Sequence, residues 1–339
     1  MKAIKIKNGG PLTTVQDEGR FGYQKFGMPV AGAMDKFSFK IANLLVGNKK
    51  NKAVLEYTVK GPKLEFIKNS VIAITGANAV PKINGKSIPM WTSIFIKKGS
   101  ILSFGNAKKG LRGYIAFKNG IKIPEVMGSR ATYLRGEIGG FEGRKLKSED
   151  VLELRKDVAK SDFCKKCLPK KYRPNFSQNK VRVIMGPQDN YFSEKGLSNF
   201  LNEKFKVSSQ ADRMGYRLNG PQIEHKNGAD IISDGIAAGS IQVSGDGKPI
   251  IMLADRQTTG GYTKIATVIT VDLDIVAQKR PGDSLNFEKI SLEEAQKLLK
   301  ERRGMYNKIK KKEEKLGSSK HYNIKIDGEE FEVELQEII

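Results

Sequence analysis

The stretch MLADRQTTGGYTKIA, residues 252–266, concentrates side chains and backbone freedom suited to chemistry on a small polar molecule. Asp255, Arg256 and Gln257 follow an apolar run, and Thr258, Thr259, Gly260, Gly261 and Tyr262 read as the turn after it. An Asp–Arg pair grips a carboxylate, an amide or a urea through charge-assisted hydrogen bonds. Paired glycines let backbone N–H groups approach a ligand closely enough to hold an anion or a developing oxyanion. By spacing alone the same residues make an ordinary glycine turn with a surface ion pair, and the two readings balance.

Three further stretches carry similar residues. SSQADRMGYRLNGP holds Asp212 and Arg213, TTVQDEGRFGYQKFGMPVAGAMD holds Gln16, Asp17 and Arg20, and MGSRATYLRGEIGG holds Ser129 and Arg130. Each has a structural alternative, a salt bridge worth little if exposed or glycines that serve turns. Only two histidines occur, His225 and His321, so neither a histidine-based triad nor a histidine-ligated metal is expected. Cys164 and Cys167 form a lone C-x-x-C among lysines, read as two reduced, exposed thiols without a metal. No Walker loop, dinucleotide fingerprint or nucleophile elbow is present.

These residues need a scaffold, and the scaffold reads as mainly β. Short β-branched runs such as SVIAITGA and LRGYIAF recur between glycine turns, and Asn84-Gly85 is a strong hairpin signal. MDKFSFKIANLLVG shows helical spacing ending at Gly47. The pattern divides into an N-terminal β lobe (1–157), a polar, basic linker (158–180) and a second β lobe (181–290). A charged, mostly solvated helix (291–316) opened by a Ser291 capping box follows, then a terminal hairpin (320–339) around Asp327-Gly328.

The formal net charge of +23 raises the question of nucleic acid, but only 14 of the 60 basic residues are arginines and no aromatic-basic interleaving occurs. A lysine-rich solvated surface is expected, with no specific nucleic-acid partner. Without a long apolar run or an apolar leader, the chain is expected to stay in the cytosol and off the membrane.

Taken in order, TTVQDEGRFGYQKFGMPVAGAMDKFSFKIANLLVGN, EVMGSRATYLRGEIGG, SSQADRMGYRLNGP, DIISDGIAAGSIQVSGDGKPIIMLADRQTTGGYTKIATVI and AQKRPGD resemble the allophanate hydrolase subunit 2, or biotin-dependent carboxyltransferase-like, family. The resemblance implies two cyclophilin-like β-barrel lobes and makes the segment around Asp255 a substrate wall. It also implies one component of an ATP-dependent 5-oxoprolinase, opening 5-oxo-L-proline to glutamate beside two companions, one KipI-like and one LamB/YcsF-like. ATP is then a co-substrate held by the complex. Arg256 or Arg213 would hold the substrate carboxylate, and amides near Gly260 and Gly261 would stabilise the charged intermediate. The tail KIDGEEFEVELQEI resembles the start of a biotin carrier domain, yet no Met-Lys-Met acceptor occurs in the sequence. A carboxyltransferase-type component of a urea or acyl carboxylase, supplied with a carrier in trans, is therefore the second reading. A non-catalytic antagonist of a KipI-type kinase inhibitor is the third.

Overall fold

The computed structural model describes residues 1–48, 51–316, 320–326 and 329–335. The β-branched runs pair into two sheets in the first lobe. One contains Val151–Glu153, Lys2–Asn8, Lys63–Phe66, Ile101–Phe104, Pro81–Ile83 and Lys86–Ser87, in that spatial order. The other contains Leu12–Gln16, Val54–Thr58, Arg112–Phe117, Ser70–Gly76 and Ser93–Ile96. Ile4, Ile6 and Leu64 of the first meet Leu55, Ile72 and Ile115 of the second in one core, as period-two alternation requires. Asn84 and Gly85 take φ of 47° and 82°, the left-handed pair of a tight hairpin.

That core leaves no room at Gly113, where an added Cβ would lie 2.1 Å from the Tyr57 ring. Gly113→Ala is expected to cost about 2–3 kcal/mol by overpacking. The measurement is a fall in urea midpoint at unchanged slope.

Helix α1, Lys36–Leu45, covers the outer face of the second sheet. Its N-cap Asp35 accepts from the Ser38 amide, and Phe37, Ile41 and Leu45 pack with Trp91 and Tyr114. Residues 158–180 lie against this lobe, through buried Val158 and Leu168 and a bridge between Thr92 and Cys167. Both cysteines are free thiols, Cys167 exposed and Cys164 half-buried.

The second lobe is a closed barrel of Lys180–Met185, Lys264–Val268, Ser240–Val243, Pro249–Met252, Gly215–Asn219, Phe205–Val207 and Ser284–Lys289. Helix α2, Glu194–Asn202, seals it by stacking Phe200 on Phe287 at 4.6 Å. Met34 and Leu111 of the first lobe belong to the barrel's core, so the lobes meet through side chains from both. The short helix α3, Leu273–Ala277, reinforces the seam, where the Phe37 amide donates to Asp274 Oδ1 at 3.2 Å.

Helix α4, Leu292–Leu316, starts as expected, with Glu294 N–H donating to Ser291 Oγ at 3.1 Å. It is mostly solvated, as expected, but one face docks on the first lobe. Ile309 is buried, Met305 and Tyr306 pack on the first lobe, and Arg302 pairs with Asp274 at 2.8 Å. A few apolar residues on one face suffice to dock a charged helix, which composition averaged over the helix conceals. Strands Lys320–Ile326 and Glu329–Leu335 pair antiparallel, while the Asp327-Gly328 turn lies outside the described residues. No helix among the described residues is long and apolar enough to cross a membrane.

Candidate functional site

The seam between the lobes holds Arg213, Asp255 and Arg256, three of the charged residues singled out in the sequence. Arg213 is buried at its centre and uses its whole guanidinium. Its Nε and Nη2 fork onto Asp255 at 3.0 Å each, Nη1 makes a short bond to Glu56 Oε1, and Nη2 also donates to the Gly32 carbonyl at 2.6 Å. Glu56 is held in turn by the Tyr114 hydroxyl and the Met34 amide. Burial pulls the Arg213 pKa down, but Asp255 and Glu56 outweigh it and hold it above the ordinary arginine value. Arg213 therefore clamps the two lobes together, with four of its five N–H groups engaged and its charge answered by two carboxylates. Asp255 is likewise tied down, a positioned wall rather than a free base.

Beside this satisfied cluster stand two cations with no carboxylate in an ion pair. Arg256 is buried and donates to the Ile236 carbonyl at 3.0 Å and the Leu253 carbonyl at 3.1 Å. Burial alone lowers its pKa, because no acid compensates the charge. Lys36, at the first position of α1, is lowered mainly by burial and then by Lys40. Glu18 opposes this, Arg256 adds to it, and Asp274 offsets it further, only in part. Neither cation forms an ion pair among the described residues. Desolvated cations without counter-ions favour an anion that arrives from outside. Gln257 adds a buried carbonyl oxygen, Oε1, with no partner.

Gln16, Asp17, Arg20, Ser129 and Arg130 come together on the N-terminal side, and they chiefly hold one another. Asp17 accepts from Ser129 Oγ at 2.7 Å and from the Arg130 amide at 2.6 Å. Arg130 pairs with Glu125 at 2.6 Å. Arg20 is wholly buried, donating to the carbonyls of Val126 and Ala131 while Nη1 has no partner. Burial lowers Arg20, opposed by Asp17 and Asp255, which places it within reach of the central cluster. Gln16 donates to the Thr132 carbonyl at 3.1 Å, and its Oε1 is buried without a partner. Asp212 is exposed and caps its own turn through the Met214 and Gly215 amides. Its carboxylate closes this local turn.

Residues Thr258 to Tyr262 are not the turn that their composition suggests. Thr259–Tyr262 is a strand, paired antiparallel with Asp230–Gly235 in a two-stranded ribbon separate from the barrel. Neither glycine is there for a left-handed backbone. At Gly260 an added Cβ would meet Ile236 Cδ1 at 2.7 Å and Gln242 Nε2 at 2.9 Å, the ends of two flexible side chains that would have to shift. Register passes from Asp230↔Tyr262 to Asp234↔Gly260, leaving Gly261 opposite the three residues 231–233 of a bulge.

Sequence reasoning missed Glu56, Lys36, Arg112 and Gln278. Arg112 makes a short bond to the Tyr216 hydroxyl and donates to the Ala277 carbonyl at 2.6 Å, while Gln278 bridges Asp35 and the Arg112 carbonyl across the seam. Two signals were present. A lone glutamate interrupts the apolar run AVLEYTV, and a lysine at the first turn of α1 opposes the helix dipole.

Asp35, the α1 cap next to Lys36, is fully buried. Burial, then the nearby Asp274 charge, raises its pKa to about 7 against the pull of bonds from Ser38 and Gln278. Between about pH 4, where an unfolded aspartate releases its proton, and pH 7 the folded protein keeps that proton. The stability contributed by Asp35 is thus present at low pH and lost as pH rises through this window. Asp35→Asn, which still caps a helix, is expected to flatten that slope in urea unfolding at pH 5 and pH 8.

The family model for the carboxyltransferase domain, subdomain A and B, matches residues 26–289. The chain is 36% identical to the C-type subunit of the 5-oxoprolinase of Haemophilus influenzae, over 87% of this chain and 94% of that protein. It is also 36% identical to the urea amidolyase of Saccharomyces cerevisiae, over 87% of this chain but 17% of that much longer protein. The crystal structure of the K. lactis urea amidolyase superposes with a TM-score of 0.86 at 34% identity, over 91% of this chain and 20% of that one.

Proposed function

This chain belongs to the carboxyltransferase domain family of the subdomain A and B type, and from that premise we propose that it serves as the C-type subunit of an ATP-dependent 5-oxoprolinase. Similarity running nearly end to end along the Haemophilus influenzae protein supports this reading over the urea amidolyases. Its strongest structural support is the pair of desolvated cations without ion-pair partners, Arg256 and Lys36, at the inter-lobe seam.

The substrate, 5-oxo-L-proline, is a carboxylate attached to a lactam. Arg256 and Lys36 supply the charge that its carboxylate requires, and Gln257 Oε1 supplies an acceptor for the lactam N–H. A lactam carbonyl is a poor electrophile, so ring opening must be coupled to ATP hydrolysis. That coupling falls to the companion subunits, one KipI-like and one LamB/YcsF-like, with ATP bound outside this chain. The part assigned to this chain is to hold the anion in a rigid wall, since Arg213, Asp255 and Glu56 already lock its position.

The test is glutamate formation from 5-oxoproline and ATP by the mixed subunits, expected only when this chain is included. A second reading, carboxyl transfer, is favoured by the urea amidolyase relatives. It predicts instead that activity follows an added biotinylated carrier and disappears with avidin. Either of those outcomes, with no glutamate formed, would displace the 5-oxoprolinase assignment.

A further inference from the structure

Helix α4 lies beyond residues 26–289, the part of the chain that the family model matches. One face of it nonetheless reaches the first turn of α1, where Lys36 stands, and the contact runs through one carboxylate. Asp274 in α3 accepts from the Phe37 amide at Oδ1, at 3.2 Å, while Arg302 Nη1 of α4 donates to its Oδ2 at 2.8 Å. Arg302 Nη2 reaches the Val271 carbonyl at 3.3 Å, so the guanidinium is also anchored to the segment that leads into α3.

Helix α4 grips the same turn a second time. The Arg302 guanidinium carbon sits 5.0 Å from the Phe37 ring centroid, a cation–π distance. Tyr306, four residues further on and so on the same helix face, packs on that ring with centroids 5.7 Å apart. Phe37 is thus held by its ring directly and by its amide through Asp274. Lys36 is its immediate neighbour in the chain.

Charge makes Arg302 the controlling member of this group. Two buried acids meet the first turn of α1, Asp35 as its cap and Asp274 from α3. Among the described residues Arg302 is the one cation that forms an ion pair with either. Burial pushes the Asp274 pKa up, and the Arg302 charge is the largest influence against it, ahead of the Phe37 amide, with a weaker pull from the Lys36 amide. Without Arg302 the desolvated carboxylate would take up a proton or turn toward water, and either change loosens its hold on the amides beside Lys36.

We infer that Arg302 is a positioning residue for the anion site: carried by α4, it fixes Asp274 on the first turn of α1 and so sets where the Lys36 ammonium stands. The site then draws one cation from each lobe, Lys36 and Arg256, and the alignment of the first from a helix outside the matched domain. Misplacing a binding group by about 1 Å is costly, which gives such a helix leverage without touching the substrate.

The inference rests on the reading of Lys36 and Arg256 as the 5-oxoproline site, and two measurements let the two fail separately. In the reconstituted complex Arg302→Met is expected to raise KM for 5-oxoproline about tenfold with kcat within about twofold of the parent, the pattern of weakened ground-state binding. Arg302→Lys, which keeps a cation on Asp274, should recover most of the loss. A role in folding alone would lower the melting temperature and the amount of active complex, and so move kcat while KM stays. The second measurement needs no turnover. In the isolated full chain, hydrogen exchange of the first-turn amides of α1 is followed by peptide mass spectrometry, with the barrel strand Lys264–Val268 as internal reference. Arg302→Met is expected to speed exchange in that turn at least about tenfold relative to the reference, and Arg302→Lys to return it toward the parent. If thermal melts show the methionine variant unfolded, Arg302→Gln, which keeps a donor for Asp274 without the charge, takes its place. Unchanged exchange in a folded variant, or an unchanged KM in an active complex, overturns the inference. Faster exchange in a chain whose parent complex forms no glutamate upholds the hold of Arg302 on α1 and removes the 5-oxoproline reading instead.

Discussion

Arg213→Met is expected to lower the unfolding free energy by about 3–5 kcal/mol, the range for removing one partner from a buried ionic cluster. The side chain satisfies two carboxylates and a carbonyl at once, and its bonds to Glu56 and the Gly32 carbonyl cross between the lobes. Methionine fills much of the volume but leaves Glu56 and Asp255 buried without a cation. Glu56→Gln in the same background should restore part of the stability, because fewer unpaired charges then stay buried. Urea unfolding of the parent and the two variants decides the matter. A loss under about 1 kcal/mol would mean that water reaches the cluster and that it does not clamp the lobes.

The second large effect is on function with little change in stability. Arg256→Met in the reconstituted complex is expected to lower kcat/KM for 5-oxoproline about 100-fold, or about 2.7 kcal/mol. Arg256→Lys keeps the charge but loses the planar fork, so an intermediate activity is expected. The fold should be nearly indifferent. Removing Arg256 forfeits bonds to the Ile236 and Leu253 carbonyls but also relieves a desolvated charge that no acid compensates. The two contributions oppose, and the net change should stay within about 1 kcal/mol. Collapse of activity at constant melting temperature separates Arg256 from Arg213, for which activity and stability should fall together. Unchanged turnover in Arg256→Met would remove this residue from the site.

The contrast between these arginines shows where sequence reading stops. Both stand in an ADR triplet, Ala211-Asp212-Arg213 and Ala254-Asp255-Arg256. Nothing in the triplets says that one arginine is saturated by acids and the other has none. Within its own triplet Arg213 has Asp212 as a neighbour, yet it pairs with Asp255 and Glu56, 42 and 157 residues away in the chain. The glycines of 258–262 mislead in the same manner. Gly260 lies against the side-chain ends of Ile236 and Gln242, remote from it in the chain, and a contact of that kind leaves no local mark.

Features whose causes lie within a few residues were legible in the chain before any fold was known. The Asn84-Gly85 hairpin, the Asp35 cap, the Ser291 cap and the mainly β character are all of this type, because backbone preference and local hydrogen bonding set them. Ordered motif resemblance added the family, and with it the expectation that residues near Asp255 line a site. Which charges there are paired and which are left over is a property of the folded molecule. Charge compensation and desolvation act through space. The cations of the proposed anion site stand out only once Glu56 and Asp255 converge on Arg213, while Arg256 and Lys36 form no ion pair among the described residues.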